Sequence, residues 1–371
     1  MLKEWLIIMM EKSNGLSLDL IVHPGETIKE LLEEKEMTQE ELAIRTGYSA
    51  KHISEVISGK KDISSKLANS LEYVFGIPTE FWINLQGIYD KEVLELEKIN
   101  NIKEEEFSIL NELKDIVKYC ETTKIIESGL NKSLTLLSMR KFLNVNNLNS
   151  IPNLPLQQVA FRGSKKLKIN INVLYAWKKI CEYLTDEINV VNKFDKELLK
   201  TKYQDLKNTM FLGPNEMIDE LKKIFLECGI AFEVVHNFAG APVQGYIQKR
   251  KGKVSLCMTI RQSFSDIFWF TLFHEIAHLL NDDFNTQYID YSFIESEVEK
   301  KADIFARNTL IDDNDYQKFI KNGKFDISTI SEFANSQSVK PGIVIGRIQN
   351  DIKDYTFMAS YRERYKWVNN K

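Results

Sequence analysis

Several features that would narrow the function of this sequence at once are scarce. Only four cysteines occur, and they lie far apart without a CxxC pair: Cys120, Cys181, Cys228 and Cys257. This excludes a disulfide framework and a cysteine-ligated zinc, and it predicts free thiols in a reducing compartment. The apolar run at 5–10 is far shorter than the roughly 20 residues that a membrane-spanning helix needs. We therefore expect a cytoplasmic protein that does not contact a membrane.

An excess of positive charge is also missing. Lys and Arg number 49 against 53 Asp and Glu, so the net charge is −4 over 371 residues. This balance excludes a chain that coats nucleic acid along its length, although it allows a local basic patch. Since 43% of the residues are hydrophobic, disorder is excluded as the dominant state. At roughly 100–200 residues per domain, the length predicts two or three domains.

The residue pattern divides the chain into stretches. An extension at 1–20 has no usable period, 21–90 is typical of short helices separated by glycines, and 91–155 is a charged helical connector with an asparagine-rich linker at 144–155. In the remainder, 156–371, helices surround three short runs rich in β-branched and aromatic residues, at 230–238, 243–248 and 254–260. The sequence predicts a mostly α-helical α+β protein with a small antiparallel sheet in its C-terminal domain.

A helix-turn-helix pattern stands in the N-terminal stretch. Thr38 is a good N-cap for a first helix that ends at Gly47, and Glu41 completes a capping box. Ser49 caps a second helix that is closed by Gly59. Two helices joined by a short turn with glycine form the helix-turn-helix motif. We expect apolar side chains to join them, namely Leu42, Ala43, Ile53, Val56 and Ile57.

The charges around this motif favour DNA binding. Between 45 and 61 there are four basic residues and one acidic residue. The second helix of such a motif enters the major groove with its N-terminal residues at the base edges. The sequence therefore predicts base contacts from Ser49, Lys51 and His52, and phosphate contacts from Gln39 and Lys60. A purely structural three-helix unit would explain the apolar pattern equally well.

A predicted helix at 264–281 carries ionisable residues inside an apolar run. His274 and His278 stand four residues apart, so their imidazoles project from one face. Buried histidines are costly unless they are paired or bind something, and two imidazoles one turn apart suit zinc. Glu275 lies beside the first histidine, where its carboxylate can take a proton from the attacking water. This is the H-E-x-x-H pattern of zinc peptidases.

A catalytic zinc site needs a third protein ligand, and the next predicted helix, 293–310, offers one. Glu299 is the predicted ligand. Asp303, four residues on, is placed to accept a hydrogen bond from the outer nitrogen of a ligand histidine. Glu295 and Glu297 are the alternatives for the ligand, but they lack this combination of a carboxylate partner and an apolar packing face.

The predicted reaction is peptide hydrolysis with Zn²⁺ as cofactor. Zinc polarises the scissile carbonyl and Glu275 acts as general base. Tyr288, Tyr291 and Arg261 are the candidates for stabilising the oxyanion. The competing hypothesis is a non-enzymatic protein in which the zinc is structural or sensory and the domain only docks a partner.

Two resemblances add to this interpretation. HPGE at 23–26, TQEELA at 38–43 and EFWINLQ at 80–86 resemble the HigA-like antitoxins of the XRE helix-turn-helix family. AFR at 160–162, FWFTLFHEIAH at 268–278 and PGIVIGR at 341–347 are similar to the ImmA/IrrE metallopeptidases. Relatives in the second family often have a proline soon after the second metal helix, where this chain has Ile-Asp-Asp at 311–313.

The resemblances imply a domain order and a set of partners. An XRE helix-turn-helix domain at 21–90 would precede a zincin-like peptidase domain at 156–371. The metal ligands of the peptidase family fall on His274, His278 and Glu299, and its general base falls on Glu275. Such antitoxins repress their own promoters, often as homodimers, and neutralise a toxin. Such peptidases cleave repressor proteins. The resemblance thus implies operator DNA, a protein substrate and a cognate toxin as partners.

Overall fold

The computed structural model describes residues 21–154, 169–282 and 297–367. These form two compact units, one made of 21–104 with 130–137 and the other of 105–129 with the chain from 138 onward. Several residues singled out in the sequence lie outside the described residues: the extension at 1–20, Pro155 at the end of the linker, 160–162, Tyr288, Tyr291 and Glu295.

Five helices build the first unit, and their ends follow the capping residues. Thr38 Oγ1 accepts from the Glu41 amide at 3.1 Å, and Ser49 Oγ accepts from the His52 amide at 3.2 Å. The reciprocal half of the predicted capping box differs, because the Glu41 carboxylate accepts from Arg45 instead. The helices are α1 (Pro24–Glu34), α2 (Gln39–Thr46), α3 (Ala50–Ile57), α4 (Ser65–Phe75) and α5 (Thr79–Asn100).

The core of the first unit confirms the predicted contact between α2 and α3. All five apolar residues expected there are buried in one cluster together with Trp82 of α5. Helix α1 approaches the end of α3 so closely that a Cβ on Gly25 would lie 2.3 Å from the Val56 carbonyl oxygen. Only glycine fits at that position.

The second unit opens with helices arranged around a buried carboxylate. Glu106 is fully buried and accepts hydrogen bonds from the Arg140 guanidinium, the Asn147 amide group and the Leu148 backbone N–H. These donors compensate the cost of removing its charge from water. The elements here are α6 (Glu104–Glu112), α7 (Lys114–Thr122), α8 (Lys132–Leu143) and a 3₁₀ turn (Leu148–Asn153). The first half of α8, up to residue 137, belongs to the first unit.

Four helices then lead into a three-stranded sheet. They are α9 (Ile171–Asp186), α10 (Lys196–Thr201), α11 (Tyr203–Asn208) and α12 (Pro214–Glu227), with a 3₁₀ turn at Thr209–Phe211. The strands are β1 (Ile230–Val234), β2 (Gly245–Arg250) and β3 (Lys253–Met258).

The predicted antiparallel sheet is wrong in one of its two pairings. The strand order is β1-β3-β2, with β2 antiparallel to β3 but β1 parallel to β3. Lys251 and Gly252 both have positive φ and close a two-residue hairpin between β2 and β3. The chain reverses once between β1 and β2 and again at this hairpin. Strands β1 and β3 therefore run in the same direction.

The remaining helices enclose the core of the second unit. They are α13 (Ser265–Asn281), α14 (Glu297–Leu310), α15 (Asp313–Lys321), α16 (Ile327–Ser336) and α17 (Pro341–Ile352), followed by a 3₁₀ turn at Ala359–Tyr361. The tail binds the start of α13, where Arg362 pairs with Asp266 and the Trp269 indole donates to Tyr365 at 2.9 Å. Although α13 is apolar, no helix in the described ranges is long and apolar enough to span a bilayer.

The two glycines of α1 and α5 provide a matched test of the packing in the first unit. Gly25→Ala should destabilise this unit by about 1–3 kcal/mol, because its Cβ meets rigid backbone. Gly87→Ala should stabilise it by about 1 kcal/mol, because this exposed helical position has open space and alanine is the better helix former. Urea denaturation of the full chain, followed by hydrogen exchange of the α3 amides, measures both changes. Equal effects would contradict the close approach of α1 to α3.

Candidate metal centre and helix-turn-helix surface

Helix α13 carries three ionisable side chains in the interior of the second unit. His274, Glu275 and His278 are 1%, 2% and 5% exposed. Their neighbours in the helix are apolar, since Phe273, Ile276 and Leu279 belong to the core cluster. Ionisable groups in such surroundings need polar partners. Helix α14 supplies them to the two histidines from its N-terminal half.

The Glu299 carboxylate reaches both histidines. Its Oε2 lies 3.1 Å from His274 Nε2 and its Oε1 lies 3.5 Å from His278 Nε2. The two Nε2 atoms are 2.9 Å apart. One ligand atom from each of the three residues lies within 4.8 Å of the others. The structure thus brings together the three residues that the sequence singled out as metal ligands.

Asp303 fixes the tautomer of His274. Its Oδ1 lies 2.8 Å from His274 Nδ1, and a carboxylate can only accept, so Nδ1 carries the proton. The Nε2 atom of the neutral ring then presents a lone pair toward His278 and Glu299. Three lone-pair donors that converge on one point repel one another unless a proton or a cation stands between them. The two nitrogens and the carboxylate oxygen are a donor set suited to zinc.

The same contacts govern the ionisation of Glu299. The close approach of the His274 and His278 imidazoles holds the pKa of Glu299 far below its ordinary value, against the opposing effect of burial. Glu299 is therefore a carboxylate at neutral pH, which is the form that binds a metal. Glu297, an alternative ligand in the sequence analysis, is exposed at the first described residue of α14.

The Glu275 carboxylate packs against the start of β2. A Cβ built on Gly245 would lie 2.5 Å from Glu275 Oε1. Any side chain at position 245 would therefore displace this carboxylate. The contact between Gly245 and Glu275 carries no signal in the local sequence.

Two further sequence expectations can be located in the second unit. Arg261 is half-buried in the turn between β3 and α13. The Ile-Asp-Asp sequence at 311–313 is hydrogen-bonded to Arg347. The guanidinium of Arg347 donates to the Ile311 carbonyl at 3.0 Å and to Asp313 at 2.5 Å. At these positions, where the sequence analysis noted the lack of a proline, this chain thus has a turn fastened by an arginine of α17.

The predicted DNA-contacting residues lie at both ends of α3 and at the start of α2. Ser49 caps α3, Lys51 is in its first turn with an 85% exposed side chain, and Lys60 follows its end. Gln39 is the first residue of α2. His52, the third residue predicted to contact bases, is half-buried. Its ring stacks on Tyr48 at 4.7 Å and its Nε2 is buried.

Acidic side chains compensate much of the basic cluster. Glu55 Oε2 lies 2.6 Å from Lys61 and Oε1 lies 3.9 Å from Lys51. The ion pair with Lys61, together with the nearby positive charges, holds the pKa of Glu55 below its ordinary value. Within the described residues, Lys60 makes no ion pair. Counting charges in the sequence missed the pairing with Lys61, because it depends on how the loop after α3 folds back. The pairing with Lys51 follows from the four-residue spacing within α3.

Comparison with known proteins places one family on the first unit. Residues 28–82 match the Helix-turn-helix family. No curated protein matches the chain. Among solved structures, the chain is similar to a Pseudomonas aeruginosa protein in complex with its operator DNA. The two sequences are 30% identical, and the match covers 20% of this chain and 80% of that chain, with a TM-score of 0.19.

Two antitoxin structures are similar as well. Pseudomonas aeruginosa antitoxin HigA with the higBA promoter has 26% identity, covers 23% of this chain and 97% of its own, and gives a TM-score of 0.21. A HigA-family addiction module antidote protein from Coxiella burnetii is 28% identical. The match covers 22% of this chain and 96% of that chain, with a TM-score of 0.19. Scores this low carry no conclusion about the overall fold. The family match shows that residues 28–82 are a helix-turn-helix domain.

Proposed function

We propose that this protein is a DNA-binding transcriptional regulator of the antitoxin type whose second unit is a zinc-dependent peptidase. The observation that carries the peptidase proposal is the convergence of His274, His278 and Glu299 around one point, with Asp303 orienting the first histidine. The helix-turn-helix domain at 28–82 supports the regulatory part.

In this proposal each residue near the metal has a separate task. His274, His278 and Glu299 would hold zinc, which when bound supplies Lewis acidity toward the scissile carbonyl and a water molecule. Glu275 accepts the proton of the attacking water and passes it to the departing amine. Its burial beside Gly245 keeps the carboxylate in one orientation and limits the access of bulk water.

The rival function is a non-enzymatic antitoxin that sequesters a toxin and uses zinc only for structure or sensing. Three ligands and a second-sphere carboxylate would suffice for such a site. A structural or sensory zinc site would have no role for the carboxylate of Glu275, which is buried and accommodated by a glycine at position 245. This favours the peptidase. A toxin and a second copy of the chain remain proposed partners, as they are for HigA-like antitoxins.

Operator DNA is the proposed ligand of the first unit. The similar structures from Pseudomonas aeruginosa were solved with an operator and with the higBA promoter. Helix α3 would enter the major groove, with Ser49 and Lys51 at the bases and Gln39 and Lys60 at the phosphates. His52 would support α3 through its stack on Tyr48 unless DNA draws its ring outward.

The ligand assignment predicts which carboxylate of α14 is needed for zinc. His278→Ala and Glu299→Gln should both abolish stoichiometric zinc, because each removes one of three ligands. Glu297→Gln is the matched control, since it neutralises an exposed carboxylate two residues away and should leave zinc unchanged. Asp303→Asn should weaken zinc binding by about 10–100-fold. Metal analysis of the purified variants measures all four, and full zinc in His278→Ala would refute the site.

The catalytic assignment separates cleavage from metal binding. Glu275→Gln should retain zinc and fold but lose proteolysis, because only the proton acceptor is removed. Mass spectrometry of the proteins encoded by neighbouring genes, incubated with the intact protein with and without a chelator, detects the cut. A substrate that Glu275→Gln still cleaves would rule out this residue as the base. If the intact, zinc-loaded protein cleaves none of them, the rival antitoxin function gains support.

The ion pairs on α3 predict opposite effects of two substitutions on DNA binding. Glu55→Gln should strengthen binding and make its salt dependence steeper, because Lys51 and Lys61 lose their acidic partner and the DNA-facing surface gains net positive charge. Lys60→Ala should weaken binding to all sequences alike and reduce the salt slope by about 1. Titration of the full chain against its own promoter region and an unrelated duplex, at several salt concentrations, measures both. Weaker binding by Glu55→Gln would contradict the proposed DNA-facing surface.

A further inference from the structure

The three proposed metal ligands come from two different helices. His274 and His278 belong to α13 and Glu299 belongs to α14. Their ligand atoms converge only if the two helices keep a fixed separation and rotation. One short segment, α10 with α11 (residues 196–208, here called the brace), contacts both helices through three side chains.

The first contact is at the C-terminal end of α13. Lys196 Nζ donates to the Leu280 carbonyl at 2.7 Å and to Asp282 at 2.5 Å. Leu280 lies two residues beyond His278 in the last turn of the helix. A cation at this end satisfies a free carbonyl and interacts favourably with the helix dipole. The brace thereby fixes the end of α13 that carries the histidines.

The second contact lies between the helices. The Tyr203 ring meets Phe273 of α13 edge-on at 6.2 Å and Phe305 of α14 at 5.7 Å. Phe273 directly precedes His274, and Phe305 lies two residues after Asp303. One aromatic ring therefore packs against both helices next to the residues that hold and orient the ligands. Edge-to-face pairs of this kind have a preferred geometry as well as buried area.

The third contact is at the C-terminal end of α14. Lys207 is only 9% exposed, and its Nζ donates to the carbonyls of Leu310 at 3.2 Å and Thr309 at 3.4 Å. Burial lowers the pKa of this lysine. Its partners are carbonyl groups at the helix end, and within the described residues it has no ion pair with a carboxylate. Lys207 thus fixes the position of α14 along its axis.

We infer that Lys196, Tyr203 and Lys207 are positioning residues that hold α13 and α14 at the separation at which His274, His278 and Glu299 meet one ion. This inference rests on the proposed metal function. It adds the requirement that residues other than the ligands hold the two helices in place. Zinc affinity should depend on side chains that touch no ligand atom and that belong to a segment distant from the H-E-x-x-H helix in the sequence.

The test uses the full chain with substitutions in pairs. Tyr203→Leu removes both ring contacts, whereas Tyr203→Phe keeps them and loses only the hydroxyl group. Lys207→Met removes the cation at the end of α14. Lys200→Met is its matched control, because Lys200 is an exposed lysine of α10 whose one ion pair among the described residues is with Glu197 of the same helix. Zinc affinity is measured by competition with a chromophoric chelator, and the thermal midpoint is measured on the metal-free protein.

We expect Tyr203→Leu and Lys207→Met to weaken zinc binding by about tenfold, the lower end of the effect of removing a group that hydrogen-bonds a ligand, because these two side chains act through the helices. Tyr203→Phe and Lys200→Met should match the parent. If the first two variants lower the thermal midpoint of the metal-free protein but bind zinc as the parent does, the segment is only structural and the inference is wrong. Should Tyr203→Leu not fold, Lys207→Met decides by the same criterion.

A second measurement keeps this inference distinct from the metal proposal. Hydrogen exchange of the metal-free protein reports the amides of α14 without any ion. In Tyr203→Leu and Lys207→Met these amides should exchange several-fold faster than in the two control variants, while those of α16 stay unchanged. If the parent protein binds no zinc, the metal function fails, and the exchange rates alone decide whether the brace holds α14. Unchanged exchange in α14 would overturn it.

Discussion

The contact between α13 and α14 determines most of the second unit. An apolar helix that buries two histidines and a glutamate would be unstable by itself, because each of these groups loses its hydration on folding. Glu299 and Asp303 supply polar partners from the opposite helix, at 3.1 and 2.8 Å from the two nitrogens of His274. The sheet and the tail complete the enclosure. Gly245 faces Glu275, and Arg362 fastens the start of α13 through Asp266.

A second constraint recurs at the ends of helices in this unit. Each α-helix leaves carbonyl groups without partners at its last turn. Here basic side chains from distant parts of the chain satisfy them. Lys253 of β3 donates to carbonyls at the end of α9. Lys196 donates to a carbonyl at the end of α13, and Lys207 and Arg347 donate to carbonyls at the end of α14. These cations have directional contacts, so they fix where each helix ends relative to its neighbours.

The sequence was informative wherever the contact is local. The H-E-x-x-H spacing, the E-x-x-x-D spacing of Glu299 and Asp303, and the Ser and Thr caps of the first unit all follow from one helical turn. The structure brings these residues together as their spacing predicts.

What the sequence did not predict is non-local. The parallel pairing of β1 with β3 arises because β3 lies between β1 and β2 in the sheet. The order of the strands along the sequence does not reveal this position. Tyr203 contacts helices far from it in the sequence, with no fixed spacing to reveal the contact. The pairing of Glu55 with Lys51 and Lys61 has a further consequence. In a domain that searches a genome, every uncompensated lysine lengthens the time spent on irrelevant duplex, since phosphate attraction ignores base sequence. By cancelling part of that attraction, Glu55 would shorten the residence time of the domain on non-specific DNA. The time needed to find the correct site would then depend more on contacts with the bases than on contacts with the phosphate backbone.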